Sequence, residues 1–231
     1  TISGEVLVAP GTYRLLAYDF NTDGTYVRNY NVWSEAEAYT EAAPKGIQNA
    51  FRSKSGESLN ILSEPDHLVV SSNERETIPY HEGVYTIYTD ASSIVESWYL
   101  QIKVDGLEYV TSAQAVLSGM VGSNLIATNT KVTDPEASIW FKLQKSDDKG
   151  TPVICTVFNT FGHIDQSVNN LEVTFNIYTT DGKMVVKTFD ISDLFKTENA
   201  VNHHWLLLEQ TIKIDPPPIS GGFDPKVDDW E

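Results

Sequence analysis

The 231-residue sequence contains one cysteine, two methionines and only four arginines, Arg14, Arg28, Arg52 and Arg75. A single cysteine excludes an internal disulfide and any cysteine-rich zinc site. Cys155 lies in PVICTVFNTF, where alternation puts Val153, Cys155 and Val157 on one face, and it reads as a small buried hydrophobe. Basic charge is scarce: 16 Lys and Arg stand against 32 Asp and Glu, a net charge of −16. The imbalance is spread along the chain, with six basic against thirteen acidic residues over 1–95 and ten against nineteen over 96–231. Phosphate backbones need clustered Lys and Arg, so nucleic acid is excluded as a partner. After Arg75 no guanidinium fork remains to grip a phosphate or carboxylate bidentately. No apolar run approaches the ~20 residues of a membrane-spanning helix. No basic-then-apolar leader is present either, so an export signal is expected outside this chain.

Strand patterns dominate what is there. Short runs of β-branched and aromatic residues alternate in polarity and stop at turn residues: EVLVA, TYRLLAYDF, TYVRNYNV, SLNILS, HLVVSS and GVYTIYTD, then SWYLQIKV, LEYVTSAQAVLSG, SIWFKLQKS, TPVICTVFNTF, LEVTFNIYTT, MVVKTFDIS and HWLLLEQTIKI. Asp23-Gly24, Asp105-Gly106, Asp181-Gly182 and SDDKG accept the positive φ angles of hairpin turns and read as antiparallel connections. Helix signals are few. Ser34 with Glu37 has capping-box spacing and predicts a short helix over 35–42, and DISDLFK adds one turn. Many short strands with almost no helix between them predict an all-β protein made of β-sandwiches. The polar stretch 90–96 is the expected boundary, giving units at 1–94 and 95–214. A Pro/Gly-rich acidic tail, 215–231, follows, in which three consecutive prolines cannot donate to a ladder.

Each chemical motif has a plain structural reading beside it. VLSGMVGSN (116–124) lacks the lysine of a phosphate loop and the Gly-x-Ser-x-Gly of a nucleophile elbow, so Gly119 and Gly122 read as a bend between strands. Asp19, Asn21 and Asp23 match the opening of a calcium loop, but Tyr30 stands where the bidentate glutamate belongs, and the same residues serve as a polar turn. His203 and His204 precede a strand, where neighbours point to opposite faces and share a metal poorly. His163 reads as a surface or turn imidazole. No pair of the carboxylates is singled out for glycoside hydrolysis. The sequence therefore assigns no catalytic, cofactor or metal residues, and an enzyme is unsupported. In SIWFKLQKS, Ile139, Phe141 and Leu143 face inward and leave Trp140 beside Lys142 outside; Trp205 is placed in the same way. Either indole offers a stacking surface for a sugar, or a cover for an edge or interface.

Several stretches, in order, carry a resemblance: GTYRLLAYDFNTDG (11–24), EPDHLVV (64–70), GLEYVTSAQAVLSGMVGS (106–123), NTFGH (159–163) and GGFDPKVDDW (221–230). The chain resembles the fimbrillin-related surface lipoproteins of Bacteroidetes, and is similar to FimB-type minor fimbrial anchor subunits and their relatives. The resemblance implies two tandem transthyretin-like (Greek-key) β-sandwich domains with little helix. It implies export to the outer membrane and cell surface, lipid anchoring through an N-terminal cysteine, and contact with other fimbrial subunits or a host surface protein or glycan. No catalytic residue and no cofactor comes with it. The lipidation cysteine is absent and Thr1 falls near the middle of the first domain's implied strand order, so a processed or engineered fragment is expected, with its first strand or strands lacking. Membrane contact would come only through the lipid outside this chain. The expected function is a non-enzymatic fimbrial accessory, anchor or adhesion subunit that works by strand addition, with a carbohydrate-binding surface lipoprotein as the alternative. The incomplete first unit is where an open sheet edge is expected.

Overall fold

The computed structural model describes residues 3–19, 22–51, 59–164 and 171–218. In chain order the first half contributes β1 (Gly11–Tyr18), β2 (Thr25–Arg28), β3 (Glu37–Thr40), helix α1 (Lys45–Ala50), β4 (Ile61–Ser63), β5 (Val69–Ile78) and β6 (Ser92–Ser93). The second contributes β7 (Glu96–Asp105), β8 (Val110–Met120), β9 (Ser123–Leu125), β10 (Thr130–Val132), β11 (Ala137–Asp148), β12 (Thr151–Thr160), β13 (Glu172–Thr179), β14 (Met184–Asp190), helix α2 (Glu198–His203) and β15 (Trp205–Lys213). The fold is all-β and sandwich-like, as the strand patterns predict.

β11 forms the corner of the larger sandwich. Its first half pairs with β8, from Ala137↔Met120 to Leu143↔Ala113, in a layer that continues to β13 and β14. Its second half, from Gln144, pairs with β12 in a layer that continues to β7 and β15. Strands that change layer in this way make sandwich corners. Alternate residues face the space between the layers: Leu100, Ile102 and Val104 on β7, Ala115 and Leu117 on β8, Val173, Phe175 and Ile177 on β13. Phe141 and Phe158 stack across it with ring centroids 4.2 Å apart. Burying one such ring contributes about 1.5–3 kcal/mol. β15 carries extra residues between Leu208 and Thr211 relative to β7, yet Leu208 and Ile212 both stay inside. An even-numbered insertion preserves which face points inward.

Two of the four expected turns close hairpins. SDDKG joins β11 to β12 with Lys149 and Gly150 at φ 52° and 86°, and Asp181-Gly182 joins β13 to β14. The other two do not: Asp23-Gly24 links strands of different sheets, and Asp105-Gly106 crosses between the layers. At Gly106, φ is +83° and a Cβ would lie 2.2 Å from the Ile214 carbonyl oxygen, so conformation and space both require glycine. The DISDLFK turn is a 3-10 turn at Leu194–Lys196.

The first unit is smaller, with a sheet ordered β1-β5-β6 and a second ordered β10-β9-β3-β2. Ala36, Ala38, Leu68, Val70, Val121 and Ile126 are buried between them. Pairing crosses residue 94 in both directions. β9 and β10 extend the sheet of β3 and β2, while β4 pairs in parallel with β11. The VLSGMVGSN bend makes the first crossing. Opposite Ala137–Ile139, β8 carries an extra residue, Gly119 sits at φ +73°, and its N–H donates to Glu136 Oε1 at 3.1 Å. The chain then leaves β8 and enters the other sheet as β9.

Three expectations need correction. Residues 35–42 are not helical: Glu37–Thr40 is β3, because Ala36 and Ala38 are wholly buried and Arg28 and Ser123 hold Glu37. Tertiary contacts override local propensity there, and the helix forms instead at Lys45–Ala50, following Pro44. EVLVA and GVYTIYTD carry strand patterns but belong to no strand; Leu7 is 99% and Tyr88 92% exposed. Cys155 is only half-buried, because its face of β12 is the outer one.

Candidate functional site

The sheet of β1, β5 and β6 is the least closed part of the molecule. β1 runs antiparallel to β5 from Gly11↔Ile78 to Tyr18↔Val70, and among the described residues no strand adds to its other side. β6 covers only Val69 and Val70 on the far side of β5. An uncovered edge presents backbone N–H and C=O groups to any further strand. Leu16, Tyr18 and Val70 seat one end of the sheet on the core. The other end projects outward, with Ser72, Glu74, Arg75 and Thr77 exposed.

Residues 80–90 run beside this edge without joining it. The Ser71 and Thr89 hydroxyls are hydrogen-bonded, and a gap of about 380 Å³ lies between Ser72 and Asn73 on one side and Tyr88, Thr89 and Asp90 on the other. Tyr80, Val84, Tyr85 and Tyr88 are exposed, and the His81 ring sits 5.1 Å from that of Tyr85. Clustered exposed apolar side chains mark interaction surfaces. Sequence reading saw these residues only as another strand. The signal it lacked was the absence of a ladder partner, which is not local information.

A second cluster lies within the four-stranded sheet of the smaller unit, on β2, β3 and β9. Arg28 Nε and Nη2 donate to Glu37 Oε2 and Oε1 at 2.8 and 2.6 Å, and Ser123 Oγ donates to Oε1 at 2.5 Å. The guanidinium also lies 4.9 Å over the Tyr39 ring. Hydrogen bonding from Arg28 holds the Glu37 carboxyl below the usual carboxylate range against the opposing effect of burial, with Ser123 adding to it. Beside the cluster is a hollow of about 140 Å³ where Arg28, Thr40, Asn60 and Ser123 meet Leu62 and Pro135. A carboxylate already occupied by three donors acts as a clamp rather than a base. Burial pushes the Glu64 carboxyl up, although the Asn159 N–H donates to it at 3.1 Å.

The two candidate indoles lie on opposite outer faces. Trp140 is half-buried beneath α1 with Phe51, Ile47 and Val116, and its Nε1 donates to Gln114 Oε1 at 3.1 Å. Trp205 is 45% exposed at the start of β15, with the His203 ring 4.9 Å away. Of the calcium-like turn, Asn21 lies outside the described residues. Asp66 Oδ2 accepts from the N–H groups of Asp23, Gly24 and Thr25 at 2.6–3.0 Å, so those amides already face a carboxylate. Among the described residues no three His, Cys, Asp or Glu side chains are placed to share a metal ion. His163 and His204 instead pack around Trp98, the latter stacked at 4.5 Å. Most of the tail, including GGFDPKVDDW, also lies outside the described residues.

A family model described as a domain of unknown function (DUF5119) matches residues 2–142. A Bacteroides ovatus protein named "Putative fimbrium anchoring subunit Fim4B" is 27% identical over 148 residues, which are 64% of this chain and 42% of that protein. The chain therefore spans about two-fifths of that relative's length. A crystal structure of a "putative adhesin" from Bacteroides ovatus superposes with a TM-score of 0.66 at 21% identity, covering 92% of this chain and 78% of that one. The fimbrial anchor protein Mfa2 of Porphyromonas gingivalis aligns with a TM-score of 0.45 at 12% identity, over 84% of this chain and 64% of that one.

Proposed function

The chain belongs to the DUF5119 family, and from that premise we propose that it is part of a non-enzymatic cell-surface subunit that anchors or joins a fimbrium through protein–protein contact. The match to a named fimbrium anchoring subunit carries this reading. The geometry supplies a means. The free side of β1 and the partly covered side of β5 accept a strand from a neighbouring subunit, main-chain hydrogen bonds giving affinity and side-chain pockets giving specificity. A strand added on the β5 side would also cover exposed side chains along 80–88. Its partners in this reading are other fimbrial subunits, and its attachment to the outer membrane is a lipid carried outside this chain.

The test uses the full-length protein in its own cells. Surface filaments are sheared off, isolated and probed by immunoblot and immunogold. The protein is expected in the filament fraction, with label at filament ends or bases. An even membrane distribution, with filaments intact in its absence, would overturn the proposal. A proline on the free side of β1 separates strand addition from other contacts: incorporation is expected to fail, and unchanged incorporation would remove strand addition while leaving the subunit role standing.

A further inference from the structure

The outer face of the β12-β7-β15 layer carries a row of apolar side chains with hydrogen-bonding side chains in the rows on either side of it. Register sets Trp205 beside Tyr99 and Tyr99 beside Val157. Their neighbours Leu206, Leu100 and Phe158 face the core, so these three point outward. Val157 is 63% exposed. Two residues along the strands, the next outward row is Leu207, Gln101, Cys155 and Gln144. On the opposite side the row is Ser97 and Asn159. Successive rows on one face lie ~7 Å apart. Tyr99 Oη donates to Gln101 Oε1 at 2.7 Å, Gln101 Nε2 donates to Asp148 Oδ2 at 3.1 Å, and Ser97 Oγ donates to Asn159 Oδ1 at 2.7 Å. The amides flanking the aromatic row are therefore held in place.

We propose that this face binds a neutral glycan, with pyranose rings stacked on Trp205 and Tyr99. A pyranose presents C–H groups on its faces and hydroxyls around its rim. The faces suit aromatic rings, and the rim suits amides and carboxylates set to either side. A row of rings about one sugar wide between Gln101 and Asn159 matches both demands. A protein-docking patch has an apolar centre with polar groups confined to its rim, whereas here Gln101 interrupts the apolar surface. Charge narrows the class. Asp148 is hydrogen-bonded to Gln101 beside the row and the chain carries −16, so sulfated and sialylated glycans are repelled. This site is separate from the β1–β5 edge and does not depend on the fimbrial reading.

The test is affinity electrophoresis and tryptophan fluorescence of the 231-residue chain with a β-1,4-glucan, an α-mannan, a galactan and dextran, and with dextran sulfate as the anionic counterpart. At least one neutral polysaccharide is expected to retard the protein. Trp205→Ala and Gln101→Ala weaken that binding about tenfold, the scale of one lost stacking or hydrogen-bonding contact. Trp205→Tyr, which keeps a ring, retains most of it, and circular dichroism verifies that each variant is folded. Retardation by none of the neutral polymers overturns the proposal, as does binding that Trp205→Ala leaves intact. A Trp205→Ala variant that loses a protein partner, with no glycan response in the parent, assigns the face to protein docking and overturns it too.

Discussion

The layers built from β7, β8 and β11 to β15 bury alternate side chains from six strands in one continuous core, whereas the β1-β5-β6 sheet rests on its core at one end only. The first arrangement leaves little for a partner to complete. The second leaves a bare strand edge, an adjacent gap and exposed tyrosines within a few residues of one another. The difference separates a part that holds shape from the part that the proposed strand addition would use, and substitutions can be ranked by which side of it they touch.

The largest effect is expected in the closed core. Phe158→Ala removes a fully buried ring stacked on Phe141 and should cost about 3–5 kcal/mol in urea denaturation. A loss under ~1 kcal/mol would mean that the core collapses around the gap and is not tightly specified. The Arg28–Glu37–Ser123 clamp within the smaller unit's sheet comes next. Glu37→Gln should cost about 1–2 kcal/mol, allowing for the half-exposed Arg28. Because its folded carboxyl lies below its usual range, Glu37 contributes stability above the unfolded value of ~4.3 and loses it as pH falls through the folded value. Stability should therefore depend less on pH below that point in the Gln variant. Glu64, whose raised carboxyl acts in the opposite sense, is present in both proteins and cancels in the difference. The smallest effect on stability belongs to the open unit. Tyr88→Ser should change the unfolding free energy by less than ~0.5 kcal/mol yet reduce recovery of the protein in sheared filaments. Equal recovery would detach the tyrosine segment from assembly.

The closed sandwich was largely legible in the sequence. Strict alternation in SWYLQIKV and LEVTFNIYTT marks which side chains lie inside, and SDDKG and Asp181-Gly182 mark hairpins whose two strands are neighbours in the chain. The first unit was less legible because its contacts are remote. Residues 35–42 have the spacing of a capped helix, but strands from beyond residue 120 take Ala38 and Tyr39 into a ladder. EVLVA and GVYTIYTD have the composition of strands, and composition does not supply a partner. Trp140 occupies an outward position, as alternation predicts, but α1 arrives from a distant part of the sequence to cover it. At the candidate sites, Trp205 was visible as an exposed indole. The amides beside it emerged only once register aligned three strands.

The two-way exchange of strands has a mechanical consequence. β4 is laced into the larger sandwich and β9 and β10 into the smaller sheet, so no single stretch of chain serves as a tether between the units. A pull that tries to part them loads the β4–β11 ladder, the passage of the chain from β8 into β9 and the α1 contact together. Tension applied at the surface is thus carried through the body as through a stitched seam, which resists until its threads fail together.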